Sequence, residues 1–186
     1  MSFASTVRLL KSKSIPTLVM VAASLAVLGG MAFAAQDRYT VQVPDGLAFS
    51  EFKGYEDWQT VAVSQTEDAI AVILANPVMI DAYRSGVPGN GKPFPDGSKT
   101  AKIHWKPTKS AEAPAPTTVP GALKDVDFMV RDSKRFPDSG GWGYAQFNYD
   151  AASDSFTPFG SGAKCGAACH TIVAAKDNVF TAYPPR

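Results

Sequence analysis

Both cysteines of the chain and one of its two histidines fall within Cys165-Gly166-Ala167-Ala168-Cys169-His170. Two thiols followed at once by an imidazole are what covalent haem attachment requires. Each sulfur adds across a haem vinyl group, and the adjoining His ligates the iron. The common attachment motif has two residues between its cysteines, and this one has three. On a helix, positions four apart are turned by about 400° and separated by about 6 Å along the axis, so Cys165 and Cys169 still share a face. His170 keeps its place beside Cys169, and Gly166 offers backbone freedom to absorb the extra residue. Gly166, Ala167 and Ala168 carry no bulk that would hold a flat macrocycle away. The competing chemistry is a Cys165–Cys169 disulfide with His170 as a bystander.

The opening of the chain bears on where such chemistry takes place. Arg8, Lys11 and Lys13 form a basic start, an apolar run follows from Leu18 to Leu28, and Ala32-Phe33-Ala34 is a small-x-small cleavage site. This pattern predicts a secretory signal peptide over residues 1–34 and a single domain over 35–186. A retained anchor is the alternative, because Ile15 to Ala35 is long enough to span a bilayer. Loss of the three basic residues takes the formal charge from +1 to −2, and no basic stripe remains to bind nucleic acid. Two cysteines and two histidines also leave few ligands for structural zinc.

The elements that must position the motif follow from hydrophobic period. Gln59 to Ser64 alternates as a strand, and Ala69 to Ala75 is an apolar run of either strand or helix character. Asn76 caps a short helix that begins at Pro77 and presents Met79, Ile80 and Tyr83. Gly86 to Gly97 is a turn-rich loop. In the strand Ser98 to Trp105, Thr100, Lys102 and His104 form the polar face, with Ala101, Ile103 and Trp105 opposite. Lys109 to Pro120 reads as an exposed extended excursion. Leu123 to Arg131 and Trp142 to Tyr149 read as further strands, the latter with aromatic residues on both faces. The tail from Thr171 continues the motif-bearing helix for a turn or two. The whole predicts an α+β fold, mainly β: an antiparallel sheet with a few short helices and haem c attached near the C-terminus.

Several segments, in order, resemble the cytochrome P-460 family and the related cytochromes c prime beta. They are Gly54-Tyr55-Glu56-Asp57-Trp58, then Phe94-Pro95-Asp96-Gly97-Ser98-Lys99-Thr100-Ala101-Lys102, then Val130 to Phe136 with Trp142, and Cys165 to His170 followed by Val179-Phe180-Thr181. The resemblance implies an exported, periplasmic protein with one covalent haem c per chain and a largely antiparallel β fold. It implies thioethers at Cys165 and Cys169, His170 as the iron ligand, and a bond from Lys102 to the porphyrin ring.

The implied activity is oxidation of hydroxylamine or nitric oxide at an open haem-iron site, with electrons passed to a partner cytochrome and the chain paired as a homodimer. The c prime beta relatives imply instead a non-enzymatic binder of nitric oxide or carbon monoxide. Simple electron transfer is a third reading, for which Met79 or Met129 would close the iron site; His104 is a further candidate ligand. The resemblance also implies a carboxylate near the haem, and none lies between Asp154 and Cys165.

Overall fold

The computed structural model describes residues 35–44, 46–159 and 163–186, with the backbone alone at 163–165. The expected signal peptide over 1–34 lies outside the described residues. Among the described residues, no helix is long and apolar enough to cross a membrane.

Six strands form one sheet: β1 (Gln59–Gln65), β2 (Ile70–Ala75), β3 (Lys99–Lys109), β4 (Thr118–Arg131), β5 (Trp142–Asp150) and β6 (Ser155–Pro158). They lie in sequence order and every neighbouring pair is antiparallel. The apolar run at 70–75 is thus a strand. Five of its six residues are buried, as a continuous hydrophobic strand requires when both sheet faces are covered. The Lys109 to Pro120 segment differs from expectation. β3 runs to Lys109 and β4 begins at Thr118, so the excursion is the tip of a long hairpin, closed where Ser110 N–H bonds to the Thr117 carbonyl.

One sheet face carries an aromatic core. Ala101, Val126, Phe128, Val130, Ala145 and Phe147 alternate onto it, and the 3-10 turns between Arg38 and Asp57 fold across it. Phe49 sits at its centre, with ring centroids 5.1 Å from Phe128, 5.0 Å from Phe147 and 5.0 Å from Phe156. Phe52 stacks on Phe128 at 4.1 Å. These turns escape a reading by period, since a chain that changes direction every few residues has neither the 2.0 nor the 3.6 repeat. β6 is likewise too short to announce itself.

The opposite face carries Ile73, Met129, Trp142 and Tyr144. Helix α1 (Pro77–Arg84) buries Met79, Ile80, Ala82 and Tyr83 against it, and Phe94 fills the space between Tyr83 and Trp142. Helix α2 (Ala163–His170), a 3-10 segment over Thr171–Lys176 and the extended tail complete that side.

Asn76 ties α1 to the sheet. Its Oδ1 accepts from the N–H of Met79 at 3.1 Å and of Lys99 at 3.0 Å, while Nδ2 donates to the Gly97 carbonyl at 2.8 Å. Asn76→Ala is therefore expected to lower stability by about 1–2 kcal/mol, seen as a lower urea midpoint with an unchanged m-value.

Candidate functional site

Between this second sheet face and α2 with its tail lies a cavity of about 670 Å³. That is within the range of small-molecule and cofactor sites, about 300–1,000 Å³. Lys102 of β3, Asp127 and Met129 of β4 and Tyr144 of β5 stand on the sheet wall; Gly166, Cys169 and His170 of α2 stand opposite. Two of the three sequence-predicted attachment residues thus line one cavity with Lys102. Cys165 lies one helical turn before Cys169 on α2, and its side chain lies outside the described residues.

His170 is held from three sides. Its Nδ1 is 2.7 Å from the backbone carbonyl of Asn178. A carbonyl can only accept, so Nδ1 carries the proton and Nε2 keeps the lone pair of a neutral ring. Burial pushes the imidazole below its usual range and Lys102 adds to this, against a smaller upward pull from the Asn178 carbonyl. The ring lies between Tyr144 and Phe180, each with its centroid 4.9 Å away. Donating one ring N–H to a carbonyl is how metal-ligating histidines fix their tautomer and orientation.

The Asn178 carbonyl is itself fixed by the fold. Asp177 and Asn178 both take left-handed conformations, φ 52° and 60°, which turn the tail back over α2. Asp177 clamps the turn to the sheet: Arg131 Nη1 donates to its Oδ1 at 2.9 Å, and the Phe94 N–H to its Oδ2 at 2.7 Å. Burial raises the Asp177 carboxyl, while the Phe94 N–H and Arg131 draw it down.

Gly166 serves a different purpose from the one its sequence position suggests. It sits within α2 and outside the left-handed region, so no unusual backbone geometry absorbs the extra residue. A Cβ at this position would overlap the Cβ and ring of Tyr144. Glycine lets α2 approach β5 closely enough for the Tyr144 ring to reach His170. Cys169 is exposed on the cavity wall, with no partner for its thiol among the described side chains.

The remaining candidates sort by face. Lys102 stands between Ile73 and Asp127 in the ladder, on the cavity side, while Ala101 packs into the aromatic core opposite. Met79 is fully buried on the inner side of α1 and does not line the cavity. Met129 does, but it pairs with Tyr144, the residue packed on His170, so it belongs to the histidine's own neighbourhood. His104 is turned away to Asp125, with Nδ1 2.5 Å from Oδ1.

Asp127 is a cavity residue that the sequence reading does not single out. It lines the cavity directly across from Lys102, and its Oδ1 is buried with no hydrogen-bond partner. Burial pushes its carboxyl up to about 6; His104 opposes this, Asp125 reinforces it and Lys102 opposes it. The signal is an acidic residue set between Val126 and Phe128, at the start of the apolar end of β4. The Tyr144 hydroxyl is also buried without a partner, and burial raises its pKa.

A family model described as Cytochrome P460 matches residues 52–181. No curated protein matches the chain. The donor set fits the haem that this family implies. An imidazole presents Nε2 with its tautomer fixed, a thiol stands beside it, and two buried polar atoms on the wall lack partners within the protein.

Asp127 gives a test of this electrostatic picture. A carboxyl with its folded pKa raised from 3.8 to about 6 binds more protons folded than unfolded between those values, so its stabilising contribution is lost as pH rises through about 6. Asp127→Asn is expected to gain in melting temperature over wild type as pH rises from 4 to 7. A gap that narrows over that range contradicts the assignment.

Proposed function

The chain belongs to the cytochrome P460 family, and from that premise we propose that it is an exported mono-haem c-type cytochrome that oxidises hydroxylamine or nitric oxide. The observation that carries the reading is the hydrogen bond from His170 Nδ1 to the Asn178 carbonyl. It leaves Nε2 as the ligating atom on the wall of a cofactor-sized cavity.

Cys165 and Cys169 would hold the macrocycle through thioethers, His170 would ligate the iron, and Lys102 would bond to the ring from the sheet side. A haem bound there supplies an iron for a small nitrogen ligand and a route for its electrons to a partner cytochrome. The polypeptide's own contribution is orientation and exclusion of water. Tyr144 and Phe180 fix the plane of the imidazole, and the proton on Nδ1 stays with the Asn178 carbonyl, which makes Nε2 a better donor. Ile73, Val179 and Phe180 supply apolar cavity wall, so charge within the site is poorly screened. Export to the periplasm fits the N-terminal pattern and places the chain where electron-accepting cytochromes reside.

The second reading is a nitric oxide or carbon monoxide binder without turnover. It draws support from the apolar wall that Ile73, Val179 and Phe180 give the cavity, which suits a small uncharged gas. Lys102 separates the two. Protein matured with haem is expected to reduce a soluble one-electron acceptor when given hydroxylamine, and His170→Ala to abolish this. Peptide mapping is then expected to yield one haem-bearing fragment joining Lys102 to Cys165 and Cys169. A free Lys102 together with no turnover, in protein that still binds carbon monoxide, rejects the oxidase in favour of the binder.

A further inference from the structure

Beyond the turn at Asp177 and Asn178 the chain runs on over residues 179–186 as a strap without regular secondary structure. Val179, Phe180, Thr181, Ala182 and Pro184 of this strap line the cavity. Pro184 and Pro185 carry no N–H, so the strap cannot zip onto the edge strand β1 as a further strand of the sheet. Side chains fasten it instead, at two places.

The first is a bulge in β1. Its ladder with β2 passes from Thr60–Leu74 directly to Ala62–Ile73, which leaves Val61 as the extra residue. A bulge takes backbone groups out of the ladder, and Arg186 claims two of them: Nη1 donates to the Thr60 carbonyl at 2.5 Å and Nη2 to the Val61 carbonyl at 2.7 Å. The same guanidinium lies 4.4 Å from the centre of the Tyr183 ring. The second place is α1. Tyr83 Oη donates to the Thr181 carbonyl at 2.9 Å, and its ring stacks on Tyr183 with centroids 5.4 Å apart and planes 18° from parallel. Burial raises the Tyr83 phenol, so it keeps its proton and remains a donor.

We propose that Tyr83 and Arg186 are positioning residues for the iron ligand: by fastening the strap to α1 and to the β1 bulge, they keep the Asn178 carbonyl and the Phe180 ring against His170. The Asn178 carbonyl accepts from His170 Nδ1 at 2.7 Å, and the Phe180 ring stands 4.9 Å from the imidazole. Tyr83 grips the chain three residues after that carbonyl and one after that ring. A strap tied only at Asp177 would leave Phe180, already 50% exposed, free to swing away and admit water to the ring N–H. The inference rests on the haem reading of the cavity and adds to it a role for α1 and the edge of β1, which lie outside the attachment motif.

The test follows solvent exchange of the His170 ring N–H by proton NMR in haem-loaded protein, reduced and bound to carbon monoxide. The amides of Val126 and Phe128, inside the β3–β4–β5 ladder, report opening of the whole fold. In the wild type the ring N–H is expected to exchange faster than those amides and with little dependence on urea, the mark of a local opening. Tyr83→Phe keeps the stacked ring and loses one hydrogen bond, and is expected to speed the ring N–H about fivefold. Arg186→Ala loses two bonds from a charged donor at an exposed site and is expected to speed it about tenfold. A ring N–H left unchanged by both variants overturns the inference, and one left unchanged by a single variant strikes that residue from it. A ring N–H that exchanges only as slowly as Val126 and Phe128, with their urea dependence, also overturns it, because unfolding and not the strap then releases the proton. A chain that matures without covalent haem overturns the haem reading and this inference with it.

Discussion

A strand covered on both faces cannot slip by one residue without exchanging everything it presents, and the central strands of this sheet are under that constraint. In β3, β4 and β5, Ala101, Val126 and Phe147 enter the aromatic core around Phe49, while Lys102, Asp127, Met129 and Tyr144 reach the cavity wall on the other face. A one-residue shift of β3 would drive Lys102 into the rings and turn Ala101 to the cavity; the same shift of β4 would exchange Asp127 with Phe128. The placement of Lys102 and Asp127 on the cavity face is thus secured by apolar packing on the far side of the sheet. Phe49 and Phe52 lie away from the cavity, yet they fix which face the polar residues occupy.

The second constraint is the return of the tail. α2 alone would present His170 with a ring free to turn about two bonds. The left-handed pair Asp177 and Asn178 brings a carbonyl back to Nδ1, and the Arg131 and Phe94 contacts of Asp177 hold that turn to the sheet. Orientation of the His170 ring therefore depends on residues from β4 and from the loop before β3. Against these stabilising contacts stand Asp127 and Tyr144, whose buried polar atoms lack partners. Local cost of this kind, supported by rigid packing elsewhere, is characteristic of binding sites.

Legibility in the sequence followed periodicity. The inner parts of β3 and β4, at Ser98 to Trp105 and Leu123 to Arg131, the strand Trp142–Asp150 and the capped helix at Pro77–Arg84 are visible, because alternation and an Asn-Pro start are local signals, whereas the hairpin tip that joins β3 to β4 reads as an excursion. The face to which Lys102 belongs was visible too, but not what covers it; that depends on the 3-10 turns carrying Phe49 and Phe52, which have no period. Gly166 could be read as special but not for the right reason, since its partner Tyr144 lies on another strand. Asp127 was hidden for the same cause. Its significance comes from the cavity and from His104 pairing elsewhere, neither of which is encoded within a few residues of position 127.

The central claim is that Cys165, Cys169 and His170 form a covalent haem site facing the sheet. Intact mass under denaturing conditions, on protein exported from cells carrying haem-attachment machinery, tests it most directly. The account predicts the chain from about Ala35 plus the mass of one haem, retained after unfolding. A haem-free chain lighter by two hydrogens, with Cys165 joined to Cys169, would contradict it.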